Sequence, residues 1–303
     1  MTTKTKKSVE WMLTHDKGQY KSLILKGLTG AGKTHWYKNY IRAYGKYYGE
    51  VFILTGTAEY NMDYEDMKQI DNVIVKDFSL ETIGAIMRIQ KKKCAKYRKK
   101  GGDAPGMLVI LDDFMSFTSS TGMGKKGIAI FEELATTSRH INMSVIYAVQ
   151  KIKGVLRTTI RANVTRIIFI GALDYGDCEE IFKCYVADKK FVSRDYWAKV
   201  VAEAMHESRY GICISINEVG GQTIFFDNHK YDAISEKLTY TGMKKILTMN
   251  EYYNRESGKE EDILKREIEE DMRKKRMKKG DEELPEALKG PMRGFERLGD
   301  KYF

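Results

Sequence analysis

The chain has 303 residues, 42% of them apolar, with a formal net charge of +10 at pH 7. That is enough for one large α/β domain with an appendage, or two small domains, around a sizeable core. No apolar run approaches the ~18 residues of a membrane span and no apolar leader opens the chain, so a soluble protein without membrane contact is expected.

Residues 1–19 read as an N-terminal extension. Short bursts of Val, Ile and Leu then recur at 23–25, 51–54, 73–75, 108–111, 145–149, 167–170 and 212–216. Each is too short for a helix and fits a strand buried on both faces. Helical patterns lie between them. The stretch 79–100 starts Ser-Leu-Glu-Thr and runs amphipathically through Ile83, Ile86, Met87 and Ile89; 127–139 and 174–185 are similar. Strands alternating with helices predict an α/β domain, a mostly parallel sheet with helices on both faces. The Gly-Gly-Asp-Ala-Pro-Gly run at 101–106 is a stop between a basic helix and the next strand. Segments 211–216 and 222–226 flank Asn217-Glu218-Val219-Gly220-Gly221 and read as a hairpin closing a core that spans 20–235. The rest, 236–303, reads as a charged tail, helical or disordered, densest in Glu, Lys and Arg over 255–289. Cys94, Cys178, Cys184 and Cys213 show no CxxC pair and no zinc-ligand spacing, which predicts reduced, mostly buried thiols in an intracellular compartment.

Three blocks carry chemistry. The first predicted strand runs into Gly27-Leu28-Thr29-Gly30-Ala31-Gly32-Lys33-Thr34, and a helix follows. This is a phosphate-binding loop in its required setting. Its glycines let the backbone turn its N–H groups toward phosphate oxygens, and the helix N-terminus adds its positive end. Lys33 is expected to reach the β- and γ-phosphates of ATP, and Thr34 to ligate Mg²⁺. The second block, Met107-Leu-Val-Ile-Leu-Asp112-Asp113, is an apolar strand ending in two carboxylates. Buried carboxylates need a cation or a reacting water. Here Asp112 is expected to hold the Mg²⁺ shell and Asp113 to polarise the attacking water. The third block sets Arg139 before the strand that ends at Gln150. A polar side chain at the C-terminal end of a core strand faces the ligand crevice, so Gln150 can sense or orient the γ-phosphate. Arg139 is either a surface cation or a group that stabilises phosphoryl charge in a neighbouring subunit.

Together these blocks resemble the FtsK–HerA superfamily of ring-forming, DNA-pumping P-loop ATPases. The phosphate loop Gly27–Thr34, the strand ending Asp112-Asp113-Phe114, the block from Ser138-Arg139-His140 to Gln150, and Ile160-Arg161-Ala162-Asn163 leading to Phe169 carry the resemblance over roughly 20–230. The family often has Asp-Glu where this chain has Asp112-Asp113. The short chain, the Asp112-Asp113 pair and the Ser-Arg-His run point to the viral genome-packaging branch, the poxvirus-type ATPases of large DNA viruses and virophages. The resemblance implies a RecA-like (ASCE) core with the Gln150 strand between the phosphate-loop strand and the Asp112 strand. It also implies a homo-oligomeric ring of five or six subunits, hydrolysis at subunit interfaces, double-stranded DNA in the channel, a capsid vertex protein as docking partner, and a place in the host cytoplasm, viral factory or virion.

The positive excess lies in the body rather than the tail and suits a polyanion such as nucleic acid. Two segments could grip phosphates: the basic helix end with Lys96 and Arg98, and the loop after the carboxylates with Lys125 and Lys126. Each could equally be a solvated charged face. Other readings remain open at this point: a cellular DNA-export pump of the same superfamily, a small-molecule P-loop kinase, and a nucleotide-gated scaffold with little turnover.

Overall fold

The computed structural model describes residues 20–60, 62–112, 125–152, 156–171, 175–185, 193–207, 211–215, 223–226, 230–232, 237–239 and 242–245, together with 258, 266, 269 and 270. The chain divides into two compact units, Met1–Thr248 and Met249–Phe303. The first holds every strand and helix discussed below.

The seven apolar bursts are all strands. In chain order these are β1 (Ser22–Lys26), β2 (Glu50–Thr55), β3 (Val73–Asp77), β4 (Met107–Leu111), β5 (Met143–Val149), β6 (Arg166–Ile170) and β7 (Gly211–Ser215). The helices are α1 (Lys33–Tyr44), the single turn α2 (Glu65–Lys68), α3 (Leu80–Arg98), α4 (Lys125–Thr137), α5 (Thr158–Asn163), α6 (Tyr175–Tyr185) and α7 (Arg194–Glu207). One sheet of nine strands runs β11-β8-β7-β6-β1-β5-β4-β2-β3, with β8 (Thr223–Phe226) and β11 (Gly242–Lys245) at one end. From β6 to β3 every neighbouring pair is parallel; β7, β8 and β11 continue antiparallel. The expected order holds: β5 lies between β1 and β4.

Both faces of the parallel part are covered, which is why its strands read as unbroken apolar runs rather than alternating ones. Leu23 and Leu25 join Ile146, Ala148, Ile168 and Ile170 in a cluster with Trp36, Tyr37, Tyr40 and Ile41 of α1. The intervening positions point the other way. There Ile24, Val109 and Tyr147 are just as deeply buried.

Local signals act where they stand. Ser79 caps α3, its hydroxyl accepting from the Thr82 N–H at 3.0 Å. At the other end Gly101, at φ +74°, takes the left-handed turn that ends the helix, and the Gly102 N–H reaches back to the Tyr97 carbonyl at 3.1 Å. The Gln90 side chain, buried against this stop, donates to the Pro105 carbonyl at 3.0 Å. Cys94, Cys178 and Cys213 are buried and Cys184 is exposed.

The sheet does not close at 235. β9 (Lys230–Asp232) and β10 (Lys237–Thr239) form a two-stranded ribbon beside α1, and β11 pairs antiparallel with β8 from Gly242↔Phe226 to Lys245↔Thr223. The first unit therefore extends to Thr248, and the polar composition that read as tail from 236 hides three- and four-residue strands too short to show a pattern. Most of 249–303, including the charged stretch up to 289, lies outside the described residues.

A chain ending at Thr248 should therefore keep the melting temperature of the full chain. One ending at residue 235 loses β10 and β11 and bares β8 as an edge. A loss of ~2 kcal/mol would lower Tm by roughly 4–8 °C in a domain this size, and size-exclusion chromatography should show aggregation. Equal melting of the two truncations would show that β11 adds nothing to the fold.

Candidate nucleotide site

β1 leaves the middle of the sheet and becomes the phosphate loop, Gly27–Thr34. The Gly27 N–H donates to the Val149 carbonyl at 3.1 Å, which ties the start of the loop to the end of β5. A side chain at Gly27 would meet the Ile170 carbonyl at 3.0 Å and the Lys33 Cγ at 3.2 Å. Gly30 and Gly32 sit at φ +77° and +99°, a region that disfavours other residues. Gly32 is also the N-cap of α1; no side chain caps this helix end and no acidic residue occupies its first turn. The helix N-terminus thus offers backbone N–H groups and the positive end of its dipole to an anion. The Lys33 ammonium folds over the loop and donates to the carbonyls of Gly27 at 2.8 Å and Leu28 at 3.1 Å. It stands on the ring of backbone that a phosphate would fill.

Asp112 follows β4 and is buried. Its N–H is held by the Leu54 carbonyl at 2.8 Å. Two phenols converge on its Oδ2: Tyr37 of α1 donates at 2.7 Å, and Tyr64, from the turn before α2, at 2.6 Å. The two hydroxyls also touch each other at 3.1 Å. Burial pushes both phenols well above their ordinary pKa, and the Asp112 charge raises them further. They stay protonated donors throughout the working pH range and fix the rotation of the carboxylate. Thr34, at the start of α1, and Asp112, directly after β4, would offer one hydroxyl and one carboxylate, hard oxygen donors. That sparse set suits Mg²⁺, which keeps water and phosphate ligands of its own. Among the described residues no cluster of three His, Cys, Asp or Glu side chains offers an all-protein cage.

Gln150 comes directly after Val149, so the Gly27–Val149 hydrogen bond places it beside the start of the phosphate loop, half-buried. On the other flank, Gly171 after β6 takes φ +77°, and a Cβ there would lie 3.4 Å from that of Ala31. Beneath the loop is a feature that sequence reasoning missed. Lys26 and Asp177, 1% and 3% exposed, form an ion pair at 2.8 Å. Asp177 lies in the first turn of α6, and its Oδ1 also accepts from the Ile152 N–H at 3.4 Å, two residues past Gln150. A lysine ending an apolar strand was the only available signal.

The structure does not bring Arg139 to this site. It is exposed in a 3₁₀ turn, Ser138–Ile141, that precedes β5, its Nε 3.4 Å from the His140 ring. Gln150 follows the same strand. Seven residues separate the two edges, about 20 Å at ~3.3 Å per residue. The basic end of α3 lies on the Arg139 edge as well. Arg98 donates to the His140 carbonyl at 2.9 Å, Lys93 pairs with Glu50 at 2.5 Å and Lys91 with Glu133, while Lys96 is exposed. Part of that charge run thus serves the fold. Lys125 and Lys126 open α4. Asp113 and the whole loop between it and Lys125 lie outside the described residues.

A model of the family described as Poxvirus A32 protein matches residues 13–236. No curated protein matches the chain. Among solved structures it is similar to the genome packaging NTPase B204 from Sulfolobus turreted icosahedral virus 2, at 15% identity and TM-score 0.43 over 75% of this chain and 98% of that one. It is similar to the cytoplasmic domain of the type VII secretion ATPase EccC of Thermomonospora curvata, at 14% identity and TM-score 0.47 over 74% of this chain and 28% of that one. The conjugation coupling protein TcpA of pCW3 is similar at 17% identity and TM-score 0.42 over 55% of this chain; the match spans about half, 52%, of that chain.

Removing one phenol tests the carboxylate clamp. Tyr64→Phe should cost about 1.5–3 kcal/mol, the usual loss for a hydrogen bond to a charged group. In a double-mutant cycle with Asp112→Asn, read by urea unfolding, the two losses should couple by ~1 kcal/mol or more. Losses that simply add would mean that Tyr64 does not hold Asp112 in solution.

Proposed function

The chain belongs to the Poxvirus A32 protein family, and from that premise we propose that it is an ATP-driven double-stranded DNA translocase that packages a viral genome into a preformed capsid. The observation that carries this reading is the placement of Gln150 beside Gly27, directly after the strand that lies between β1 and β4. A small-molecule kinase has no use for a polar sensor on that strand; a motor that must report the γ-phosphate does.

ATP binds with its phosphates in the curl of Gly27–Thr34. Lys33 exchanges its contacts with the Gly27 and Leu28 carbonyls for β- and γ-phosphate oxygens. Thr34 and Asp112 would hold Mg²⁺, which would supply positive charge to those oxygens. Asp113 accepts a proton from the water that attacks the γ-phosphorus, as the bond to the ADP oxygen breaks. Gln150 orients that water or senses the γ-phosphate. Arg139 cannot serve its own chain's nucleotide from the far edge of the sheet. It serves a neighbour's in a homo-oligomeric ring of five or six copies. Lys125 and Lys126 open the helix that follows the Asp112 strand, and Lys96 and Arg98 lie on the Arg139 edge. These groups grip DNA phosphates without reading bases. The tail after Thr248 docks to a capsid vertex protein.

ATP turnover measured with and without linear double-stranded DNA tests the reading. DNA should raise kcat, and Lys33→Ala should abolish turnover and sharply weaken nucleotide binding. Wild-type turnover in Lys33→Ala, or indifference to DNA, would refute the motor. Arg139→Ala should bind ATP almost normally yet lose about 10³-fold or more in rate, the usual effect of removing such an arginine. Mixing it with Lys33→Ala protein over several ratios should restore some activity, because one interface in a mixed ring keeps both intact partners. An Arg139→Ala protein with wild-type DNA-stimulated turnover would reduce Arg139 to a surface cation.

A further inference from the structure

The buried Lys26–Asp177 pair has no part in the mechanism above. Lys26 is the last residue of β1 and directly precedes Gly27. It is paired in register with Val149 on one side and Phe169 on the other, with its ammonium 5.9 Å from the Phe169 ring centre. Asp177 approaches from the first turn of α6. Three chain segments meet at this one carboxylate: the root of the phosphate loop through Lys26, the segment after Gln150 through the Ile152 N–H, and α6 itself, which follows β6 and Gly171.

Stability is a poor explanation for the pair. Desolvating two charges offsets most of their attraction, and apolar residues of similar volume usually serve a core as well or better. What an apolar pair cannot do is accept a hydrogen bond from a backbone N–H. At 2.8 Å the ion pair fixes the carboxylate; the 3.4 Å contact then lets it hold the chain two residues beyond Gln150. Gln150 is thus anchored on both sides, by the Val149 carbonyl on Gly27 and by Ile152 on Asp177.

We propose that Asp177 is a positioning residue that, clamped by Lys26, holds the Gln150 segment against the phosphate loop so that the site distinguishes ATP from ADP. The proposal deepens the reading of Gln150 as the γ-phosphate sensor and rests on it. In this role Asp177 acts through Gln150 rather than on the nucleotide itself. It acts by denying Gln150 the freedom to swing away, and a displacement of ~1 Å at such a group can cost about 10²-fold in rate.

The test uses the full chain. Asp177→Asn keeps the shape but removes the negative charge beside the buried Lys26 ammonium, so it should melt lower. Lys26→Met/Asp177→Leu removes both charges and should melt near the wild type. Binding of ATPγS and of ADP is measured for both, with Gln150→Ala for comparison. In the double variant ADP affinity should stay within about twofold of wild type, while the preference for ATPγS falls to the Gln150→Ala level and kcat drops by about 10²-fold. A double variant that melts, discriminates and turns over like the wild type overturns the proposal and leaves the pair as packing. A Gln150→Ala protein with an intact ATPγS preference overturns it too. Neither result touches the assignment of the phosphate loop, which stands or falls with Lys33→Ala.

Discussion

The site depends on one constraint, the position of β1 as a central strand hydrogen-bonded on both sides. Its parallel partners β5 and β6 run in matched register, so Lys26 lies level with Val149 and Phe169. All three strands therefore leave the sheet at the same edge. The loop that must receive phosphate, the polar group after Val149 and the glycine turn after Ile170 converge without any long excursion of the chain. A one-residue slip in β1 would exchange its two faces, turning Leu23 and Leu25 away from α1 and sending Lys26 toward it. The apolar cluster around Trp36 and Tyr37 opposes such a slip. In this sense the packing of α1 sets the register and the register sets the site.

The same helix reaches the second strand of the site. Tyr37 is part of the apolar cluster, yet its hydroxyl ends on Asp112. A carboxylate at the end of a buried strand needs donors, because burying it without partners is costly. Two phenols satisfy that need without adding a counter-charge. A lysine or arginine in their place would hold the carboxylate as firmly but would compete with any cation for it. Phenols raised in pKa by burial remain neutral and leave the negative charge available. Tyr64 adds a further link: it belongs to the connection between β2 and β3, whose Tyr60 and Met62 are strongly exposed on the nucleotide edge.

Much of this was legible in the residues. Strands buried on both faces are continuous runs of Val, Ile and Leu, so seven of them could be read directly, and Ser79 and Gly101 marked the ends of α3. The phosphate loop was legible because glycine spacing and a flanking strand and helix are local facts. The order β1-β5-β4 is not local and came only through resemblance. Two kinds of feature escaped. Strands of three or four residues, β9, β10 and β11, are too short to display alternation. Pairings distant in sequence do not announce their partners: Tyr64 and Asp112 are 48 residues apart, and nothing around Asp177 points to Lys26. Lys91, Lys93 and Arg98 lie in the run that reads as a nucleic-acid patch, and the sequence did not show that they also tie α3 to its neighbours.

The distribution of groups between the two edges bears on how a ring of such subunits could work. The phosphate loop, Asp112 and Gln150 occupy one edge, and Arg139 the other, with β5 between them. All seven residues of β5 are buried, and the strand is paired with β1 over Val145–Val149 and with β4 over Met143–Tyr147. A strand so placed has no slack; close-packed interiors pass on displacement as rigid movement rather than stretching. A change at Gln150 cannot reach Arg139 by deforming β5. It can do so by tilting the sheet as a body or by moving α4, the helix that runs directly into the Ser138–Ile141 turn. In the motor proposed above, either route swings Arg139 relative to the neighbour's nucleotide while the subunit's own site stays intact. Coordination between subunits would then be a matter of rigid rotation at the interfaces, and the internal geometry of each site would need to change only around the γ-phosphate.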